Sequence, residues 1–303
     1  MALEFLVFLA SAPMQQRPLD RQTVLELLCE ESDFPPLPPP KPGQWRAVFS
    51  ERRQSFQQYV ASRPIQADEK RKRIIMQPIG SFPGDKKWLL QRGKEYAEIF
   101  FDCKVILKEP LPLPKTGWRE RQYGKKRWKQ YRTDIFLRKI LPNCLDPESF
   151  LCLGVTMEDL YPEESWNFVF GQASIRDRVG IYSLARYFPS FYGEEDPPAR
   201  SPLILRRVLK VLSHETCHML GMHHCVDHPC LMNGSNSLEE SDARPLHLCG
   251  LCLRKLAWNR NFDPLKRYER LMAFYDKWGL KDDARWVEER LKKVEKFKKK
   301  KDP

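Results

Sequence analysis

The segment HETCHMLGMHHC, at residues 214–225, constrains this chain more than any other part of its sequence. His214 and His218 are four residues apart, so on a helix both imidazoles lie on one face and can reach the same metal ion. Glu215 lies beside that face, where a carboxylate can take a proton from water activated by the metal. The pattern therefore predicts an active-site helix with Glu215 as the general base.

A glycine and a third histidine complete this pattern. Gly221 can adopt the left-handed conformation that ends a helix and turns the chain back. The turn lets His224 approach as a third ligand, and the register of the glycine favours it over its neighbour His223. Three protein ligands leave a coordination position for water, which is typical of a catalytic zinc site. We predict His214, His218 and His224 as the ligands of a catalytic zinc ion.

Four cysteines that begin directly after His224 predict a second metal site. They are Cys225, Cys230, Cys249 and Cys252. Two cysteine pairs separated by a loop are typical of a closed four-thiolate zinc site, which is structural because no position is left for a substrate. Two disulfides are the alternative, and metal is favoured because nothing indicates secretion. His228 and His247 could each replace a thiolate, but the complete set of cysteines argues against this.

The remaining cysteines are predicted to be reduced thiols of the core. Cys217 lies between Glu215 and His218 and points away from the ligand face by helical spacing, so we expect a small buried residue there. The others are scattered along the sequence: Cys29, Cys103, Cys144 and Cys152.

These motifs together resemble the archaemetzincins, a branch of the metzincin zinc peptidases with a cysteine-bound second zinc beside the catalytic one. The resemblance rests on HExxHxxGxxHC at 214–225, on CLM at 230–232, on CGLC at 249–252, and on the flanking segments 159–174 and 234–249. It covers roughly residues 72–260 of the chain.

The resemblance implies an α+β fold with a twisted mixed sheet above the cleft, an active-site helix and a small zinc-stapled C-terminal subdomain. It implies two zinc ions per chain and a peptide or protein substrate. It makes Met232 the residue of the methionine turn beneath the catalytic metal. The edge strand near residues 168–174 would bind an extended substrate as an added strand. We therefore predict a zinc metallopeptidase. The alternative is a zinc-stabilised interaction module without activity, which the intact Glu215 argues against.

Charge is unevenly distributed in this chain of 303 residues, whose formal net charge is +12. Residues 115–140 hold ten lysines and arginines against two acidic residues, and residues 292–303 hold seven lysines against two. The segment at 117–132 interleaves aromatic rings with cations, which suits a nucleic-acid backbone or an acidic protein partner equally well. A solvated loop leading into a helix is the simpler interpretation.

The organisation along the chain predicts three segments. Residues 1–71 form an N-terminal extension with a proline-rich linker at 35–42, residues 72–260 the metzincin-like catalytic domain, and residues 261–303 C-terminal helices and a basic tail. Residues 5–10 are apolar but lack a preceding basic region, so we expect no signal peptide. No apolar run is long enough to span a membrane, so we expect a location in the cytoplasm or nucleus. We also expect a monomer.

Hydrophobic periodicity predicts the secondary structure. Helices are predicted at 18–31, 44–62, 86–101, 129–141, 203–221, 264–278 and 281–299, and strands at 73–80, 103–108, 150–157, 167–175 and 179–187.

Overall fold

The computed structural model describes residues 19–84, 86–123, 126–198 and 200–301. Its fold is a mixed α/β architecture in which helices pack against a mixed sheet. The apolar segment at 5–10, for which we expect no signal peptide, lies outside the described residues. Within them, every helix is too short or too polar to cross a lipid bilayer.

The described elements are numbered in chain order. The strands are β1 (Arg73–Ile79), β2 (Lys104–Leu107), β3 (Trp118–Tyr123), β4 (Lys126–Arg132), β5 (Ser149–Thr156), β6 (Asp159–Tyr161), β7 (Gly171–Ser174) and β8 (Val179–Ser183). The α-helices are α1 (Arg21–Leu28), α2 (Trp45–Val48), α3 (Phe56–Ala61), α4 (Lys86–Phe100), α5 (Thr133–Ile135), α6 (Pro202–Met219), α7 (Leu238–Ala243), α8 (Gly250–Arg260), α9 (Pro264–Lys277) and α10 (Lys281–Lys301).

The central sheet has the strand order β2-β1-β5-β8-β7. Its first four strands run parallel, and β7 runs antiparallel to β8. Every residue of β5 is buried, as expected for a parallel strand covered on both faces. The strands predicted at 73–80, 103–108 and 150–157 are confirmed. Among the described residues β7 pairs only with β8, so its outer edge is open.

The basic segment forms a hairpin of β3 and β4, which β6 extends to a second sheet. The predicted helix at 129–141 is therefore wrong over residues 129–132, and helical backbone begins only at Thr133. The physical reason is that β4 pairs on both sides. Its buried Gln130 donates from Nε2 to Asp159 at 2.9 Å, and the strand must be extended to make these pairings.

Two other predicted elements end differently. The helix predicted at 44–62 is two short helices, α2 and α3, because Ser55 starts α3 with a capping box that it forms with Gln58. The strand predicted at 179–187 ends at Ser183, whose hydroxyl accepts the N–H of Ala185 at 3.0 Å and starts a 3₁₀ turn.

Helix α6 lies at the centre of the packing, against α4, β7 and β8. At the C-terminus α9 and α10 pack against each other, and the break between them lies at Gly279, as predicted. Helix α1 of the N-terminal extension packs against both. One buried cluster contains Leu28, Leu212 and Leu291, one residue from each predicted segment. The division into three segments stays a prediction.

Candidate metal centres

Helix α6 places His214 and His218 one turn apart, with their Nε2 atoms separated by 3.0 Å. The helix ends at Met219, and Gly221 follows with a φ of +82°. The predicted left-handed glycine is confirmed. Any side chain at this position would also meet Pro64, because a Cβ atom would lie 2.8 Å from the Pro64 ring. Conformation and space together favour glycine at the turn.

The turn brings His224 back to the pair on α6. The candidate ligand atoms of His214, His218 and His224 all lie within 4.8 Å of one another. His223 is exposed and lies outside this cluster, and its backbone N–H donates to Gln54 Oε1 at 3.2 Å. The structure thus groups His224, rather than His223, with the two histidines of α6.

Each imidazole of this cluster makes a hydrogen bond through Nδ1. The acceptors are the Leu231 carbonyl for His214 (2.9 Å), the Met222 carbonyl for His218 (2.7 Å) and the Glu51 carboxylate for His224 (2.7 Å). Since these acceptors carry no hydrogen, each Nδ1 carries a proton, and in the neutral form of each ring Nε2 is the nitrogen with the free lone pair. Histidines that bind metals generally donate their other N–H in this way. The three rings are therefore prepared for a cation such as zinc.

The electrostatics of the cluster keep the two rings on α6 uncharged. Burial, reinforced by the Arg244 guanidinium, holds the pKa of His214 well below its usual value. Burial and the neighbouring His224 lower the pKa of His218 to about 3. Both rings are therefore neutral near pH 7, which is the form that binds a metal ion.

Glu215 is buried beside the histidines, under Gly171 of β7. A Cβ atom at Gly171 would lie only 2.6 Å from the Glu215 carboxyl carbon, so the strand approaches this closely only as glycine. Burial raises the pKa of Glu215 to about 8, and the Arg244 charge acts in the opposite direction. A divalent cation at the histidines would act in the same direction as the Arg244 charge. It would lower the pKa of Glu215 and favour the ionised carboxylate.

A cleft of about 680 Å³ opens in front of Glu215 and the histidines. One wall is α6, and another is formed by residues 165–173, which include part of β7. A third comes from α2 and the residue after it. Two apolar side chains of the cleft are largely exposed, Val48 at 57% and Ile175 at 44%.

Replacing the third histidine tests the assignment of ligands. We expect His224→Ala to weaken metal binding at this cluster by orders of magnitude, because one of three converging lone pairs is lost. His223→Ala should leave it nearly unchanged, since that exposed ring lies outside the cluster. Titration of each variant with zinc against a competing chelator measures both affinities. Loss of metal from His223→Ala alone would show that the register is wrong.

The four predicted thiols also lie together. Cys225, Cys230, Cys249 and Cys252 are buried, and their Sγ atoms all lie within 4.8 Å of one another. The cysteines of the described residues are free, so the disulfide alternative is not what the structure has. The Sγ atoms of Cys225 and Cys249 are 3.7 Å apart. Thiolates 2.3 Å from a tetrahedral zinc would be separated by about 3.8 Å.

Backbone and thiol contacts show that this cluster suits a cation. The N–H groups of Met232 and Cys249 point at Cys230 Sγ, at 3.4 and 3.3 Å. Hydrogen bonds from the other three thiols hold the pKa of Cys225 well below its usual value, whereas burial raises the pKa of Cys230 and hydrogen bonds with the neighbouring thiols raise that of Cys252. Ionised sulfur in a buried site requires a compensating charge, which a zinc ion supplies.

Met232 is fully buried, and its carbonyl accepts the Cys225 N–H at 2.8 Å, so it lies beside the thiol cluster, while its position beneath the catalytic metal stays a prediction. The histidines considered as replacements lie elsewhere. His228 donates from Nδ1 to the Pro35 carbonyl at 3.0 Å, and the His247 ring stacks on Trp286 at 3.7 Å.

Cys217 is fully buried, as predicted. The remaining cysteines are free, as predicted, although Cys29, Cys103 and Cys144 are only partly buried. Cys144 and Cys152 are hydrogen-bonded through their thiols, which lowers the pKa of Cys144 to about 7.

Three aromatic rings of the basic hairpin pack against other groups of the protein. Trp128 packs on Phe191 with ring centroids 5.0 Å apart, and Tyr131 is buried. Trp118 is covered by the Lys129 ammonium at 4.1 Å. These rings are not displayed for stacking on bases, so their placement adds no support to nucleic-acid binding, which stays a prediction together with an acidic partner.

Four residues of the site were not predicted: Trp45, Glu51, Gly171 and Arg244. Arg244 is buried, donates from Nη1 to the Asn233 carbonyl at 2.8 Å, and lies 3.1 Å from His214 Nδ1. Glycine within a strand indicates close approach of another group, so Gly171 had a detectable signal. Trp45 and Glu51 had none, because they reach the site from the distant N-terminal extension.

Comparison with known proteins agrees with this geometry. Residues 144–258 match the model of Peptidase family M54. Archaemetzincin-2 of Homo sapiens is 36% identical over 276 residues, which cover 80% of this chain and 75% of the relative. The chain belongs to the archaemetzincin family. It is a zinc metallopeptidase of that family, as the resemblance of its motifs implied.

Archaeal relatives and a solved structure agree with this assignment. The archaemetzincin of Methanocaldococcus jannaschii is 33% identical over 184 residues, 61% of this chain and 92% of the relative. The crystal structure of the archaemetzincin from Methanopyrus kandleri has a TM-score of 0.50 and 30% identity, covering 64% of this chain and 98% of that one. Archaemetzincins of archaeal length thus correspond to about two thirds of this chain.

Proposed function

We propose that this archaemetzincin hydrolyses peptide bonds at the three-histidine cluster, with Glu215 as general base and acid, and that it binds two zinc ions, one at each cluster. The observation that carries this proposal is the position of Glu215. Its carboxylate is buried beside three converging imidazoles, at the floor of the cleft and under the open-edged strand β7.

The residues of the cleft divide the chemistry between them. A zinc ion held by the imidazoles would polarise a peptide carbonyl and lower the pKa of water. Glu215 would accept the proton of the attacking water and transfer it to the nitrogen of the leaving amine as the peptide C–N bond breaks. Arg244 lines the cleft, and its charge favours the ionised form of Glu215 that can act as a base.

The open edge of β7 supports an extended peptide as the substrate. A peptide can pair with the free backbone groups of such an edge as an added strand. This orients the chain along the cleft, past Glu215, which lies directly under Gly171. Exposed apolar side chains such as Val48 and Ile175 favour a substrate with apolar side chains.

The second zinc ion has a structural role in this proposal. Four thiolates fill its coordination positions, so it has no place for a substrate. Since Cys225 directly follows His224, this ion would fix the loop that presents the third histidine. Free thiols at such a site are favoured by a reducing compartment, which supports a cytoplasmic or nuclear location.

An unbiased peptide library tests the function directly. We expect the purified full chain to cleave library peptides, to lose cleavage when a chelator removes zinc from the histidine cluster, and to regain it on zinc addition. Mass spectrometry of the products identifies the cleaved bonds. Cleavage that persists after zinc is removed would come from another catalyst and would contradict the proposal.

A further inference from the structure

Residues 45–54, which comprise α2 and most of the chain that leads to α3, lie across the loop that carries the third histidine. At one end the Trp45 N–H donates to the Glu240 carboxylate at 3.0 Å, and the same carboxylate accepts the Asn236 N–H at 2.7 Å. The Trp45 ring packs so closely on Gly234 that a Cβ there would lie 2.3 Å from it. This end is therefore fixed to the chain beyond the histidines.

The other end is fixed by Gln54, which is buried. Its Nε2 donates to the Gly221 carbonyl at 3.0 Å, at the turn that ends the active-site helix. The Lys255 ammonium donates to the Gln54 carbonyl at 2.6 Å. Residues 45–54 thus connect the two sides of the metal-binding loop, and they belong to the predicted N-terminal extension.

Glu51 lies between these two anchors and contacts His224 with one carboxylate oxygen. Its Oε1 accepts the His224 Nδ1–H at 2.7 Å, while Oε2 accepts the Trp45 Nε1–H at 2.8 Å. The Trp45 ring also meets the His224 ring edge-on, with centroids 4.9 Å apart. Both oxygens of the Glu51 carboxylate are therefore hydrogen-bonded, and the carboxylate in turn fixes the orientation of the His224 imidazole.

The location of Glu51 sets its role apart from that of Glu215. Glu51 lines a side cavity of about 330 Å³ together with Arg52, His218, His223 and His224. The cleft in front of Glu215 is lined by Trp45 but not by Glu51. The carboxylate thus meets His224 from outside the substrate cleft, at the Nδ1 atom.

We propose that Glu51 is the positioning residue of the third metal ligand, supplied by the N-terminal extension. This inference rests on the proposed zinc site. The histidines of α6 are oriented by the helix and donate to neutral carbonyls, whereas His224 lies on a loop and donates to a full negative charge. A carboxylate in this position fixes the tautomer and the ring orientation and makes the imidazole a stronger ligand.

Glu51→Gln tests this role through metal affinity. The amide keeps the size of the side chain but removes its charge, so zinc binding at the histidine cluster should weaken about 10–100-fold. Competition with a chromophoric chelator on the full chain measures it, and the zinc retained by the thiol cluster is an internal reference. In the cobalt(II)-loaded protein, the visible absorption of the histidine site should shift, because its third ligand changes in strength and orientation.

Two further variants separate positioning from folding. Glu69→Gln makes the same change at an exposed carboxylate of the same extension and should keep wild-type affinity. Trp45→Phe retains an aromatic ring but frees Oε2 of Glu51, so its loss of affinity should be smaller than that of Glu51→Gln. If Glu51→Gln does not fold, the test rests on Trp45→Phe alone. A Trp45→Phe protein with wild-type zinc affinity and wild-type cobalt absorption would then overturn the proposal.

The outcomes also distinguish this inference from the proposed function. If the wild-type histidine cluster binds zinc tightly and Glu51→Gln binds it within about twofold with the same cobalt absorption, Glu51 is only a surface ion pair and the inference fails alone. If the wild-type cluster binds no zinc, the proposed function fails first and the role of Glu51 fails with it.

Discussion

Replacing Glu215 with glutamine is expected to lower kcat/KM for peptide hydrolysis by about 10²–10⁴-fold, the usual contribution of a general base. The amide has nearly the same shape as the carboxylate but cannot accept the proton of water. The three imidazoles keep their positions, since their Nδ1 hydrogen bonds go to Leu231, Met222 and Glu51. Steady-state kinetics on a peptide cleaved by the wild type measures the loss.

The control for this variant is Glu239→Gln, which makes the same change at an exposed carboxylate of α7 and should leave kcat/KM unchanged. A Glu215→Gln protein with activity equal to that of the control would exclude Glu215 as the base.

Replacing Cys252 with serine is expected to have the largest effect on stability. A structural zinc site contributes on the order of 10 kcal/mol in small peptides, and we expect roughly half of that here because a large core remains. A loss of about 5 kcal/mol corresponds to a melting temperature lower by about 10–20 °C. Differential scanning calorimetry with zinc quantified in each preparation measures both changes.

Cys152→Ser is the matched control, because Cys152 is equally buried but belongs to neither of the metal clusters found among the described residues. It should cost only about 1–3 kcal/mol, the penalty of a buried hydroxyl with an imperfect partner. If Cys252→Ser has the same melting temperature as the Cys152→Ser control and keeps both metal ions, the four cysteines do not form a structural zinc site.

The two metal clusters could be predicted because their geometry is local. Helical spacing places His214 and His218 on one face, and the conformation of Gly221 decides where His224 returns. The thiols follow within 28 residues of that histidine. Short-range geometry of this kind depends little on the rest of the fold, so the spacing of residue types is sufficient to indicate it.

The residues that orient this site could not be predicted in the same way. Glu51 and His224 are separated by 173 positions, and nothing in the helix predicted at 44–62 indicated that Glu51 would contact a metal ligand. The prediction of a helix over residues 129–132 failed for a related reason. Residues 129–132 resemble a helix start in isolation, but pairing on both sides of β4 makes them extended. Long-range pairing outweighs local preference at both places.

The most direct test of the account measures zinc content and peptide cleavage on one preparation of Glu215→Gln, beside wild type. A catalytic zinc site with a separate base predicts two zinc ions per chain in both proteins, one for each cluster, and cleavage only by wild type. Loss of a zinc ion together with cleavage would show that Glu215 holds the site together. Cleavage by the variant at the wild-type rate would contradict the mechanism.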